Sequence, residues 1–255
     1  MERLSNKIAL VTGASSGIGL ACALALAKEG CRVIITGRRA ERLEKLARTI
    51  RDQGGTCLPL PFDIRNKKEI DQAIQSLDAN WRDIDILINN AGLSKGLDKL
   101  HEGRTEDWEA MIQTNVMGLL YITRAVVPGM VTRGRGDIVN IGSIAGHEVY
   151  PKGNVYCASK HAVTALTKGL RMDLVDTPLR VSTVDPGLVE TEFSIVRFDG
   201  DQERAKNVYR GLEPLHGEDI AEAVVFIVTR PRHVQIGEII IFPTAQASST
   251  VVSRK

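Results

Sequence analysis

Seven short apolar runs rich in β-branched residues, separated by longer amphipathic stretches, leave this 255-residue chain few ways to fold. The runs fall at 8–11, 32–36, 56–62, 84–88, 137–141, 180–184 and 238–242. Between them, 19–29 puts Leu20, Leu24 and Ala27 on one stripe, and 39–52 repeats the pattern with Leu43, Leu46 and Ile50. That is the 3.6-residue period of a helix with one buried side. Strands alternating with helices at this spacing predict an α/β architecture with a mainly parallel sheet. The run at 86–88 is apolar throughout, as expected of a strand covered on both faces.

Right-handed crossovers between parallel strands then predict a doubly wound Rossmann fold, a seven-stranded mainly parallel sheet with helices on both faces. No linker or repeat interrupts the series, so residues 1–255 are expected to form one domain. The longest irregular stretch, about 188–210, follows a strand end and is expected to be a substrate loop or lid. The last dozen residues are small and polar, which predicts loose order.

Charge excludes a dedicated polyanion binder: 33 basic residues face 31 acidic ones, for a net +2. Cys22, Cys31, Cys57 and Cys157 form no CxxC pair and have no histidine at ligand spacing, so they read as reduced core residues and no metal is expected. The N-terminus lacks the apolar core of a signal peptide, and no apolar stretch approaches the roughly 20 residues of a membrane span. A cytoplasmic protein is expected, with no membrane and no nucleic-acid partner.

The first strand runs directly into TGASSGIG at 12–19. Glycines at 13, 17 and 19 let backbone N–H groups approach a pyrophosphate, and the following helix N-terminus adds orphan donors and a favourable dipole. A tight βα turn has the same composition, so it is the place of this triplet after the first strand that carries the signal. Where an NAD site carries an acidic residue, the second strand ends in Arg38-Arg39. Guanidinium groups bind a 2′-phosphate, and cations at a helix N-terminus oppose its dipole, so NADP(H) is the expected cofactor over two solvated arginines.

Tyr156 and Lys160, four apart in YCASK, share one face of a helix predicted at 154–173. A phenol titrates near 10, and a nearby ammonium favours the phenolate, which predicts a lowered value useful for acid/base work. Ser143 ends the strand DIVNIGS, where its hydroxyl can meet a substrate oxygen.

TGASSGIG, NNAG at 89–92, Asn115, Ser143, YCASK and Pro186-Gly187 followed by Thr191 together resemble the short-chain dehydrogenase/reductase family over about residues 8–242. The resemblance implies an NADP(H)-dependent oxidoreductase acting on CH–OH groups. Tyr156 is then the proton donor and acceptor, Ser143 orients the substrate oxygen, Lys160 lowers the tyrosine and binds the nicotinamide ribose, and Asn115 holds a water in a proton relay. It further implies cofactor contacts from Gly13, Ser15, Ser16, Gly17, Ile18 and Gly19, from Asp63 and Ile64 at the adenine, and from Asn90, Ala91 and Gly92. Pro186, Gly187, Val189 and Thr191 would hold the carboxamide end. Pairing through the helices carrying Asn115 and Tyr156 into a homotetramer or homodimer is also implied.

The segments 186–198, 89–96 and 153–160 most resemble the NADP-dependent 3-hydroxy acid (serine/allo-threonine) dehydrogenase branch, with reductases of small sulfonated aldehydes closely similar. Both need a cation to bind a carboxylate or sulfonate a few bonds from the reacting carbon. Arg197 in the lid, with Tyr150 as its hydrogen-bonding partner, is the expected anion site, with Lys95 and Lys152 as alternatives. His147 and Glu148 stand where that branch carries a tryptophan-containing segment, and a glutamate near the pocket disfavours an anion. A 3-oxoacyl thioester reductase is the alternative, against which GEIIIFPTAQ lacks a glycine pair after the last strand. A non-enzymatic NADP(H) sensor would not need all four reacting residues.

Overall fold

The computed structural model describes residues 4–255. Its described residues build one seven-stranded sheet in the order β3-β2-β1-β4-β5-β6-β7, with every pairing parallel. The strands are β1 (Ile8–Val11), β2 (Arg32–Gly37), β3 (Thr56–Pro61), β4 (Ile86–Asn89), β5 (Asp137–Ile141), β6 (Arg180–Pro186) and β7 (Glu238–Ile241). The helices are α1 (Gly17–Lys28), α2 (Ala40–Asp52), α3 (Lys67–Gln75), α4 (Thr105–Ile112), α5 (Leu119–Arg133), α6 (Asn154–Asp173), α7 (Phe193–Arg197), α8 (Gln202–Asn207) and α9 (Gly217–Val228). The expected doubly wound class is the observed one.

Alternation along each strand divides the core in two. Ala9, Val11, Val33, Ile35, Ile86, Ile88 and Val139 pack against α1, α2 and α9, whereas Ile8, Leu10, Ile34, Leu87 and Ile138 meet Ile70 of α3 and Ile122, Val126 and Met130 of α5. Period-two side-chain direction makes both faces apolar, which is why the central strands read as continuous runs. Pro59 and Pro61 lie in β3, and β3 pairs only with β2. An edge position is where a residue without an N–H costs no ladder bond.

Several boundaries shift from expectation. β4 starts at Ile86; just before it Asp85 N donates to Ile8 O at 2.8 Å, while Asp85 Oδ2 accepts from Ile8 N at 3.1 Å. β6 extends to Pro186, two residues past the expected end. The helical run Thr105–Arg133 is 29 residues long, and its most apolar 18-residue window reaches a mean hydropathy of 1.2, so by length and composition alone it could cross a membrane. Its apolar side is consumed by the core through Ile122, Val126, Val127 and Met130.

The tail is also better ordered than its composition predicts. Gln246 is buried and its Oε1 accepts from Leu188 N at 2.8 Å. Ser249 N donates to Glu148 Oε2 at 2.7 Å, and Lys255 N donates to Gly211 O at 2.9 Å. The loop expected at 188–210 contains α7 and α8, separated by a turn at Asp199 and Gly200.

Candidate active site

A cleft of about 450 Å³ opens along the carboxyl ends of the strands, from Gly13 and Arg38 at one end to Tyr156 and Arg197 at the other. Ligands of open parallel sheets bind at this edge, because side chains from several strand ends and helix N-termini converge there.

At the first βα turn Gly13 and Gly17 adopt φ of +67° and +57°, the left-handed region. A Cβ on Gly19 would stand 2.4 Å from Asn90 Nδ2 and 2.5 Å from Gly13 O. The turn is therefore built for close backbone approach. Thr12, which sequence reasoning passed over, ties it to the NNAG segment: its Oγ1 accepts from Asn90 N and Ala91 N, both at 3.0 Å. Ser15, Ser16, Ile18, Asp63, Ile64, Gly92, Pro186, Gly187, Val189 and Thr191 all line the same cleft. Thr114 Oγ1, also in the lining, is buried without a hydrogen-bond partner among the described residues. A glycine cradle too tight for side chains and an orphaned polar atom fit an extended polar ligand such as a dinucleotide.

Arg38 is exposed at the mouth. Arg39, the N-cap of α2, donates to Ser15 Oγ at 2.9 Å and Ser16 Oγ at 2.7 Å. Its Nη1 reaches Glu192 Oε2 at 2.7 Å, and Arg42 holds Oε1 of the same carboxylate at 2.6 Å. Burial pushes the Glu192 carboxyl up, but hydrogen bonds from both arginines outweigh it and hold it below the usual range. This clasp was not legible in the sequence, since 153 residues separate Arg39 from Glu192. Asp63 is likewise held low, chiefly by the hydrogen bond from Arg65.

At the far end Lys160 Nζ donates to Ile141 O at 2.9 Å and lies 6.0 Å from the Tyr156 ring centroid. Burial pulls the Lys160 ammonium down to about 8, against the opposing charge of Asp185. The expected lowering of Tyr156 is corrected here: burial dominates and pushes the phenol up, with the Ser143 hydrogen bond and the Arg197 charge only partly opposing it. Desolvation penalises a buried phenolate more than these neighbours stabilise it. Ser143 Oγ accepts from Ala145 N at 3.1 Å, which fixes the hydroxyl beside Tyr156.

Asn115 lies in a π-helical turn, 113–118, between α4 and α5. Its Oδ1 accepts from Leu93 N at 2.8 Å, and its Nδ2 donates to Leu93 O at 2.8 Å and Ser159 Oγ at 3.0 Å. The side chain is engaged by protein on both ends and braces the loop after β4 against α6. Wide π turns recur where a site needs one side chain redirected.

Arg197 meets Tyr150 as expected. Its Nη2 donates to Tyr150 Oη at 2.9 Å and its Nε to Gly96 O at 3.2 Å, and the guanidinium carbon is 5.8 Å from the Tyr156 ring centroid. Lys95 is drawn away to an ion pair with Asp199, and Lys152 is exposed outside the cleft. Neither lines the main cleft, although both border a smaller pocket that shares Tyr156 and Arg197 with it. Glu148 does not line the cleft; its carboxylate accepts from Ser249 N of the tail, and Ser249 does line it. His147 Nε2 meets Asp185 Oδ2 at 2.9 Å. All four cysteines are buried, and burial pushes the thiols of Cys22, Cys31 and Cys57 up to about 12.

A glycine cradle at one end and a buried tyrosine–lysine–serine group at the other make this an oxidoreductase of the doubly wound class. The chain belongs to the short-chain dehydrogenase family, whose match covers residues 7–202. It is similar to an NADP-dependent 3-hydroxy acid dehydrogenase of Schizosaccharomyces pombe, 46% identical over 100% of this chain and 99% of that one. It is also 46% identical to an enzyme of the same description from Escherichia coli strain K12, over 94% of this chain and 96% of the relative. Among solved structures it resembles the closed form of a serine dehydrogenase complexed with NADP+, at 44% identity and a TM-score of 0.92, covering 97% of this chain and 99% of that chain.

Proposed function

We propose that this chain interconverts a small 3-hydroxy acid and its carbonyl by NADP(H)-dependent hydride transfer. The observation that carries the substrate class is Arg197, hydrogen-bonded to Tyr150 and suspended 5.8 Å from the ring of the proton-donating Tyr156. It offers a carboxylate a cation a few bonds from the reacting oxygen. The names of the relatives agree with that reading.

NADP(H), when bound, supplies or accepts the hydride. Gly13, Ser15, Ser16, Gly17, Ile18 and Gly19 cradle its phosphates, Arg38 and Arg39 take the 2′-phosphate, and Asp63 and Ile64 meet the adenine. Asn90, Ala91, Gly92, Lys160 and Tyr156 hold the ribose side, and Pro186, Gly187, Val189 and Thr191 the carboxamide. In reduction Tyr156 gives its proton to the carbonyl oxygen as that becomes a hydroxyl, and in oxidation it takes the proton back. Ser143 donates a hydrogen bond to the same oxygen, and Asn115 fixes the loop over Lys160. A phenol kept protonated by burial is suited to the reductive direction, where it starts as the acid.

Buried free cysteines fit a reducing, cytoplasmic compartment. Apolar side chains left exposed on or beside the α4–α5 and α6 helices, Ile112, Val131, Met172 and Val175, support self-association as a dimer or tetramer. The test is NADPH consumption by the purified chain across 3-oxo acids, sulfonated aldehydes and neutral aldehydes, followed at the reduced-nicotinamide band. Tyr156→Phe is expected to lose about 100- to 10,000-fold in turnover with NADPH affinity retained. Substantial turnover by that variant, or none by the parent with any carbonyl, overturns the reading.

A further inference from the structure

Asp185 is completely buried, and its place follows from strand register. Asn140 of β5 points at α6, donating to Thr167 Oγ1 at 2.8 Å, and Gly142, two residues on, shares that face. A Cβ on Gly142 would lie 1.7 Å from Asp185 Oδ1. The carboxylate therefore fills the space of the missing side chain, next to Ile141, whose carbonyl holds Lys160 Nζ.

Both carboxylate oxygens have partners. Thr183 Oγ1 donates to Oδ1 at 2.8 Å, and His147 Nε2 stands 2.9 Å from Oδ2 and 3.3 Å from Glu238 Oε1. With carboxylates on both sides, Nε2 carries a proton in either charge state of the ring. Histidine, aspartate and glutamate come from the turn after β5, from β6 and from β7. Their ligand atoms lie within 4.8 Å of one another, but direct hydrogen bonding closes the trio. The other charged groups around it are Glu148, bound to Ser249, Arg171 of α6, bound to Gly237 O, and Lys160 and Tyr156. His147 keeps 24% of its side chain exposed, whereas Asp185 has none. The trio thus runs from solvent to the end of β5, where the Ile141 carbonyl holds Lys160.

We propose that Asp185, oriented by Thr183 and His147, is the buried counter-charge that keeps Lys160 an ammonium, with His147 and Glu238 linking that pair to solvent. Asp185 and His147 are positioning residues acting through Lys160, and the proposal rests on the reading of Lys160 given above. The electrostatics agree in sign: burial alone pulls Lys160 down, and Asp185 is the group that opposes it. Asp185 itself is pushed up by burial and by Glu238, and His147 and Thr183 hold it back. Removing the charge at 185 lets Lys160 lose its proton at lower pH, so the alkaline limb of turnover moves acidward.

The experiment is the pH profile of kcat/KM for carbonyl reduction at saturating NADPH. Asp185→Asn is expected to lose about fivefold more activity at about pH 9 than at about pH 7. His147→Leu removes the donor between two facing carboxylates, Thr183 alone remaining on Asp185, so one takes a proton and the limb moves the same way. His147→Gln keeps an N–H near the Nε2 position and holds the parent profile. If Asp185→Asn does not fold, the partly exposed position 147 carries the test. A loss equal at all pH values, or an unmoved limb in both the Asn and Leu variants, overturns the inference. Full turnover by Lys160→Met overturns the reading of Lys160 and the inference with it. An inactive Lys160→Met beside unmoved limbs overturns the inference alone.

Discussion

Replacing Arg197 by Met separates substrate recognition from lid structure. The guanidinium has two jobs: it ties the lid to Gly96 O at 3.2 Å and to Tyr150 Oη at 2.9 Å, and it leaves its remaining N–H groups for an anion. Methionine keeps the length of the side chain and removes both. The lost tie acts on every substrate alike and costs about 0.5–1.5 kcal/mol, the net worth of an ordinary hydrogen bond. The lost anion contact acts only on a charged substrate and costs a further ~1.5–3 kcal/mol, the range for hydrogen bonds between charged groups. Expressed as rates, kcat/KM for a 3-hydroxy acid should fall about 10- to 150-fold relative to the neutral alcohol of the same skeleton. Arg197→Lys should recover part of that ratio, since the charge returns without the planar fork. The assay is NADP+ reduction with the two substrates side by side. An equal loss for acid and neutral alcohol, or no loss at all, refutes an anion site at Arg197.

Two further outcomes are expected elsewhere. Arg39→Ala should weaken NADPH binding by about tenfold while leaving NADH nearly unchanged, a modest figure because this arginine is 42% exposed; fluorescence titration of both cofactors decides it, and equal weakening counts against a 2′-phosphate contact. Asp137→Ala should cost about 3–5 kcal/mol of stability in urea unfolding, because it strands the buried Arg180 whose Nε it holds at 2.5 Å. Arg180→Met should cost at least as much, since the carbonyls of Val228, Arg230 and Val234 lose their donor as well.

What the sequence made legible was local. Strand cores, the glycine turn and the helix carrying Tyr156 and Lys160 each follow from a pattern a few residues long. The partnership of Arg197 with Tyr150 was expected from resemblance and not from any spacing, as 47 residues separate them. Boundaries failed where a polar side chain replaced a ladder bond, as Asp85 does for Ile8 N. The tail failed for the same reason: its composition suits a loose end, yet the Gln246 amide serves Leu188 N across 58 residues. The titration of Tyr156 was misjudged because helical spacing reports which charges are near but not how much water is excluded, and burial is the larger effect.

The same distinction explains why the lid matters to the chemistry. Its start is held by Glu192 on Arg39 and Arg42, and its flank by Gln246 on Leu188. Its end is held by Arg197 on Gly96 and by Lys95 on Asp199. Each tie lands on an element that also lines the cleft or borders it, so the lid cannot open at one end without disturbing groups that meet a ligand at the other. The Glu192 clasp is exposed and solvent-screened, and a tie of that kind is weak. The Arg197 contacts are half-buried hydrogen bonds to neutral groups beside Tyr156, where less water competes for them. On the proposed reading, an anion reaching Arg197 strengthens the end of the lid nearest Tyr156, where excluding water keeps the phenol protonated until a carbonyl oxygen takes its proton.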